Sequence, residues 1–213
     1  MNWILFVSTA FAAYLAGSFP TGYLVGRAKG VDLRKVGSGN IGATNALRVL
    51  GKKAGYLVFA GDALKGWIGV MLGFLLAAQL DPPKAIPAGV IAAIFTVIGH
   101  NYPVWLKFQG GKGISTSAGV MIALFPIEVF LAGLAVWLLL FFFTRYVSVA
   151  SIGGSLALPI TAAILMEFGR CDPLRVSIAA IMCTLAVIRH RGNIQRLLAG
   201  TEKKFEKKAS THS

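Results

Sequence analysis

Seven apolar runs, nearly free of charge, take up most of this sequence: 3–25, 54–80, 86–99, 115–125, 127–143, 147–166 and 176–188. Crossing about 30 Å of hydrocarbon takes about 20 helical residues, and in lipid only helices or closed barrels satisfy the backbone. The first, second and sixth runs are long enough as they stand. The third and seventh must borrow flanking residues or thin the bilayer locally. The stretch 115–143 would make a helix of roughly 43 Å, too long for one untilted span. Pro126 and Glu128 sit at its middle. Proline ends helices and a carboxylate is costly in lipid, so two short helices turning near 125–127 fit better than one kinked helix.

Charge placement arbitrates between the readings. Charged residues make up only 14% of the chain and apolar types 56%, against about 25% charged in a soluble domain, which excludes a normal solvated surface and disorder alike. The net charge of +13 would suggest nucleic acid in a soluble chain. Here seven basic residues gather in 27–53 and seven more in 189–208, at the ends of apolar runs, as in integral membrane proteins. With seven spans and the N-terminus outside, the inside segments hold 17 of the 21 basic residues. Lys84, Arg170 and Arg175 stay outside among four acids, and Lys65 lies within a span, where it is expected to pair with Asp62. The expected fold is an all-α integral membrane protein with seven transmembrane helices, N-terminus outside and C-terminus cytoplasmic. It forms a single membrane domain over 1–213, with motif loops near 27–53, 100–114 and 189–202. The basic tail 203–213 is expected to skim the anionic inner leaflet. No basic n-region precedes the first run, which argues against a cleaved signal peptide. Cys171 and Cys183 form no CxxC pair and suggest no metal site or disulfide framework.

The three inside loops carry the unusual polar residues. In the first, Gly37-Ser38-Gly39-Asn40-Ile41-Gly42 matches GxGxxG, with Asp62 twenty residues further on. The dinucleotide fingerprint needs a strand before it and a parallel sheet around it, and neither is available in this chain. What remains is a glycine-rich loop able to converge backbone N–H groups on an anion, with Asn40, Thr44, Asn45 and Arg48 close by. In the second, Gly110-Gly111-Lys112-Gly113 fails the Walker A pattern, since Leu106 stands where the first glycine belongs and Gly113 replaces Ser or Thr. It still sets an ammonium beside the N–H groups of a helix start, a natural anion site. His100 reads as structural and Lys107 as an interfacial lysine. In the third, His190 stands among three arginines whose charge presses its pKa down, while Arg191 and Arg196 read as facing lipid phosphates. The inside loops offer only Asp32, Glu202 and Glu206 as carboxylates. No catalytic triad, His-x4-Asp pair or metal cluster can be assembled, so the inside face suits phosphate groups without offering an evident general base.

Three runs, GSFPTGYLVGRAKGVDLRKVGSGNIGATNALRVLG, GHNYPVWLKFQGGKGISTSAG and RHRGNIQRLLAGTEKK, occur in this order and, with RYVSVASI at 145–152, strongly resemble the bacterial acyl-phosphate:glycerol-3-phosphate acyltransferases (PlsY-type) over nearly the whole chain. The resemblance implies a seven-helix enzyme of the bacterial inner membrane with a cytoplasmic active site and no cofactor. It implies transfer of a long acyl chain from acyl phosphate to the sn-1 hydroxyl of glycerol 3-phosphate, giving lysophosphatidate and phosphate in phospholipid synthesis. A soluble partner would make the acyl phosphate from acyl carrier protein, and no nucleic acid is involved. By the same resemblance, phosphate-binding and active-site positions fall on Ser38, Thr44, Arg48, Lys112, Ser148, His190 and Asn193.

The residues give that chemistry a physical reason. An acyl phosphate carries its own good leaving group, so the protein must chiefly hold two anions and align a hydroxyl with a carbonyl. Arg48 and Lys112 are the expected neutralising cations, and the Ser38–Gly39 segment the expected N–H donor. The donor's phosphate oxygens are the expected proton acceptor, with His190 a hydrogen-bonding anchor and the acyl tail in a cleft between helices. A competing reading, a carrier or channel for phosphate or a phosphorylated polyol, needs polar residues along the later spans, where they are sparse.

Overall fold

The computed structural model describes residues 3–205, and among them every regular element is helical. In chain order these are α1 (Trp3–Ser18), α2 (Thr21–Ala28), α3 (Ala43–Leu50), α4 (Lys52–Leu80), α5 (Ala85–Asn101), α6 (Ile114–Leu124), α7 (Ile127–Thr144), α8 (Val147–Glu167), α9 (Pro173–Arg189) and α10 (Arg191–Leu198). Five segments are long and apolar enough to cross a membrane: Trp3–Ala28, α4, Pro82–Leu106, α7 and α8. A sixth joins them if α9 and α10, bent by 55° at His190, count as one. α6 is apolar but has only 11 residues, about 16 Å of helix.

Two breaks shape the bundle. The turn expected near Pro126 separates α6 from α7. The first apolar run, expected to be one helix over 3–25, is instead interrupted between Ser18 and Thr21. Pro20 brings no N–H to the helical ladder, and at the break the Phe19 carbonyl accepts from Thr21 N–H at 3.1 Å and from Lys65 Nζ at 2.7 Å. Lys65 also pairs with Asp62 Oδ1 at 2.8 Å, both side chains buried, as their spacing along α4 predicted. The pair thus ties α4 to the break in the first span and leaves neither charge unpaired in the interior.

Close helix approach depends on missing side chains. A Cβ at Gly17 of α1 would lie 2.0 Å from the Thr96 carbonyl oxygen of α5, and one at Gly119 of α6 would lie 1.8 Å from that of Ala63 on α4. Around these contacts Val70, Val97, Val120, Met121, Leu158, Ile178 and Met182 belong to one buried apolar core. Outward, Phe11, Leu57, Leu138, Phe142 and Phe143 stand exposed, an apolar surface suited to lipid. The loop before α3, α3, the 102–113 loop and α10 gather at one end of the bundle, where their polar residues line a common cavity.

Candidate active site

The cavity at this end measures about 380 Å³. Its first wall is the loop before α3, organised by Asn45, which is 1% exposed. The Asn45 amide donates to the carbonyls of Leu33, Val36 and Asn40 at 2.8–3.1 Å and accepts from Ser38 N–H at 2.9 Å. Gly37 has a left-handed φ of 64°, and a Cβ there would lie 2.2 Å from Asn45 Oδ1. The expected cradle of backbone donors at Ser38 and Gly39 is not formed: Ser38 N–H is held by Asn45 and Gly39 N–H by the Val36 carbonyl. Gly42 N–H likewise donates to Asn40 Oδ1 at 2.8 Å. Asn40 and Asn45, expected to bind substrate, thus hold the loop through these bonds while both also border the cavity. Ser38, Thr44 and Arg48 remain along the cavity wall.

The second wall descends from α5. Gly110 N–H and Gly111 N–H donate to the carbonyls of Asn101 and His100, continuing the end of α5 into the loop. A Cβ at Gly111 would lie 2.0 Å from His100 Nε2, so the buried imidazole and the loop backbone share one space. Gly113 takes φ 83° at the start of α6, and Lys112 between them turns inward. Gly39 and Gly111 shape their loops without lining the cavity, whereas Gly37, Gly113, Ser148, His190 and Asn193 all line it.

The third wall contains the residue that sequence reasoning passed over. After α10 the chain reverses at Gly200, φ 68°, and Thr201 and Glu202 donate their N–H groups to the Arg196 carbonyl. This carries Glu202 into the cavity. Its carboxylate accepts from Asn193 Nδ2 at 2.6 Å, Ser148 Oγ at 2.8 Å and Arg196 Nε at 2.7 Å. Arg196, expected to face lipid phosphates, is thus committed to the site. The described start of the tail, expected on the membrane surface, lies against the bundle: Arg48 donates to the Lys203 carbonyl and Phe205 N–H to the Arg145 carbonyl. The rest of the expected tail, 206–213, lies outside the described residues. Lys112 Nζ closes the circuit by donating to Asn193 Oδ1 at 2.6 Å. A continuous chain, Lys112–Asn193–Glu202–Ser148, crosses the cavity.

Its electrostatics follow from burial and neighbours. Burial pushes the Lys112 ammonium down to about 8; Glu202 pulls it up, against Arg196, Arg189 and Arg48. Burial and then the Lys112 charge push His190 down to about 4, outweighing the Ala186 contact and Glu202. Its Nδ1 lies 2.7 Å from the Ala186 carbonyl; in the neutral ring Nδ1–H donates there and Nε2 is left as an acceptor. Burial raises the Glu202 carboxyl, but hydrogen bonds from Asn193, Arg196 and Ser148 outweigh it and the group lies below its ordinary range.

Phe59, Ile114, Trp137 and Ser151 border both this cavity and a second, apolar cleft of about 250 Å³ between the helices. Ala118, Met121, Leu134, Leu158 and Met182 line its length. A cationic, hydrogen-bonding chamber opening onto an apolar slot suits an amphiphile with a phosphate head.

The comparisons agree with that geometry. Residues 7–200 match the model of the family described as glycerol-3-phosphate acyltransferase. A glycerol-3-phosphate acyltransferase of Synechococcus elongatus is 45% identical over 210 residues, 97% of each chain. The crystal structure of PlsY (YgiH), an integral membrane glycerol 3-phosphate acyltransferase, in its glycerol 3-phosphate form, superposes with a TM-score of 0.82 at 40% identity, covering 94% of this chain and 96% of that one. Its lysophosphatidic acid form gives 0.80 at 38% identity, covering 94% and 95%. With the loops of the sequence motifs meeting around one chamber, and with relatives matched over nearly their full length, this chain belongs to the glycerol-3-phosphate acyltransferase family and is an acyltransferase of phospholipid synthesis.

Proposed function

We propose that this chain moves a long acyl group from acyl phosphate to the sn-1 hydroxyl of glycerol 3-phosphate, releasing inorganic phosphate and 1-acyl-glycerol 3-phosphate. The observation that carries the reading is the joining of the two cavities at Phe59, Ile114, Trp137 and Ser151. A chain lying in the cleft presents its carbonyl carbon where the cationic chamber begins. The two crystal structures of PlsY (YgiH), one in a glycerol 3-phosphate form and one in a lysophosphatidic acid form, support the same acceptor and product class.

Lys112 is the half-buried cation for the phosphate at the chamber floor, and Arg48 serves the second anion at the rim, with Ser38 and Thr44 donating hydroxyl hydrogen bonds. The glycerol oxygen attacks the acyl carbonyl, the bond from that carbon to the phosphate oxygen breaks, and the hydroxyl proton passes to an oxygen of the departing phosphate. The protein supplies alignment and charge stabilisation. His190 accepts a hydrogen bond from a glycerol hydroxyl at Nε2, and Glu202 fixes Asn193 and Ser148 so that each presents a defined face. Glu202 is already occupied by three donors and is a poor base for the hydroxyl.

The same reading places seven spans across a bacterial inner membrane, with α6 completing the set, the N-terminus outside and the chamber on the cytoplasmic face. The gathering of basic residues at the chamber's end supports this orientation, as does a water-soluble acceptor that must reach the chamber without crossing lipid. The acyl phosphate would come from a soluble acyl-carrier-protein:phosphate acyltransferase. The test is purified protein in detergent with synthetic palmitoyl phosphate and glycerol 3-phosphate. Equimolar lysophosphatidate and phosphate are expected, with no product from palmitoyl thioesters; turnover of a thioester in place of acyl phosphate would overturn the donor assignment.

A further inference from the structure

Arg189, the last residue of α9, takes no part in lining the chamber. Its guanidinium is turned the other way, onto the backbone of the loop that carries Lys112. Nη2 donates to the Gly111 carbonyl at 2.8 Å and the Gly110 carbonyl at 3.1 Å, and Nε donates to the Gly111 carbonyl at 3.1 Å. The ring of Tyr102 backs the same guanidinium, 4.9 Å from its centroid to the Arg189 Cζ, a cation–π contact. Tyr102 is itself tied down, its carbonyl accepting from Tyr14 Oη at 2.9 Å.

The arrangement makes little sense as charge pairing. No carboxylate of the described residues forms an ion pair with Arg189. Its charge also opposes the ammonium of Lys112, the very next residue to Gly111. What Arg189 has that a lysine lacks is a planar fork, which reaches two successive carbonyls at once. On the opposite side, the N–H groups of Gly110 and Gly111 are taken by the carbonyls of Asn101 and His100. The two glycine peptides are therefore held from both sides, by the end of α5 and by the end of α9. One residue on, Lys112 meets Asn193 at 2.6 Å, and Asn193 lies only four positions beyond Arg189.

We propose that Arg189 is a positioning residue for the transfer reaction, its guanidinium fork clamping the Gly110–Gly111 carbonyls so that Lys112 is held in register with Asn193 and the bound phosphate. The clamp grips the second motif loop only by its backbone carbonyls, so it constrains where the ammonium sits rather than what the substrate touches. The proposal rests on the reading of the chamber as the acyl-transfer site.

The test compares Arg189→Ala and Arg189→Lys in the full chain, by steady-state kinetics and by thermal unfolding in detergent. A reacting group displaced by about 1 Å costs on the order of a hundredfold; Arg189→Ala is expected to lose about that much in kcat/KM. Arg189→Lys keeps the charge but not the fork and should stay at least about tenfold below wild type. A second readout needs no turnover: amine acylation by a soluble succinimidyl ester, quantified by peptide mass spectrometry at Lys112 and at the exposed Lys107 of the same loop. Freed from the clamp, Lys112 should label several times faster while Lys107 is unchanged. Full activity in Arg189→Lys, activity of Arg189→Ala within about threefold of wild type, or Lys112 labelling that stays at the wild-type rate or rises only together with Lys107 would each overturn the clamp. Failure of the underlying reading looks different, since wild-type protein would then give no lysophosphatidate from acyl phosphate.

Discussion

The chamber and the cleft are built on opposite plans. The chamber is assembled from loops and helix ends whose frame is fixed by directional bonds: Asn45 holds one loop, the α5 carbonyls hold the next, and Glu202 gathers Asn193, Ser148 and Arg196. The cleft is made from helix faces with side chains such as Ala118, Met121 and Leu158, and its shape is set mainly by packing, with Trp137 Nε1 donating to Ser151 Oγ at 3.3 Å where it meets the chamber. The difference teaches where precision is required. Phosphates and a nucleophilic hydroxyl need donors placed to fractions of an ångström, whereas an alkyl chain needs only dry volume, worth about 0.8 kcal/mol per buried methylene. Substitutions in the chamber should therefore act steeply on turnover, and substitutions in the cleft gradually on chain-length preference.

The steepest effect is expected at Lys112. Lys112→Ala removes the half-buried cation and should lower kcat/KM by about a thousandfold, since a charge pair desolvated by the bound substrate and broken on one side costs several kcal/mol. The protein should still insert and unfold at close to the wild-type temperature. Lys112→Arg should not restore the rate fully, because Gly113 and the packed Gly111 leave no room for a fork. Steady-state kinetics on both variants decide this; near-normal turnover in Lys112→Ala would move the anion site elsewhere.

A smaller loss, about tenfold in kcat/KM, is expected for Glu202→Gln, which makes the bonds from Asn193 and Ser148 neutral and removes the ion pair with Arg196. The sign of its pH effect is also fixed. Lys112 lies at about 8, and Glu202 is the neighbour that raises it. The active ammonium is lost as pH rises through that value, so kcat/KM of wild type falls above about pH 8. In Glu202→Gln the fall should begin at lower pH, and a limb that stays in place would remove Glu202 from the circuit.

The smallest effect should come from the cleft. Ala118→Phe, placed along its wall, should raise KM for a C16 acyl phosphate by roughly tenfold, the value of nearly two excluded methylenes, and leave a C8 donor untouched. Equal changes for both donors would mean that the chain lies elsewhere.

How far these regions could be read from the sequence differs in the same way. The apolar runs announced the helices, Pro126 announced the turn between α6 and α7, and the spacing of Asp62 and Lys65 announced their ion pair. Pro20 announced the break in the first span just as plainly, but the apolar residues on both sides concealed it. Within the motif loops, Lys112 and His190 stood out by type, whereas Asn193 was reached only through the family resemblance. Nothing local separates Asn45, which holds the loop, from Thr44, which faces the chamber, because the difference lies in which way one side chain turns. Glu202 was concealed by Lys203 and Lys204 beside it; its only signal was Gly200, a residue suited to ending α10 in a left-handed turn. The cleft had no signal, since its walls come from helices far apart in the chain.

In the proposed reaction the chamber aligns and neutralises while the substrate's own phosphate takes the proton. The most direct measurement is kcat against pH, with both substrates saturating so that ionisation of free glycerol 3-phosphate does not intrude, for wild type and His190→Asn. With His190 at about 4 and its Nδ1 bound to the Ala186 carbonyl, kcat of wild type should be flat between pH 6 and 7, and His190→Asn should keep that shape and raise mainly KM for glycerol 3-phosphate. A limb rising through pH 6–7 in wild type and absent from His190→Asn, with kcat down more than about a thousandfold at unchanged KM, would make His190 the general base and contradict the account.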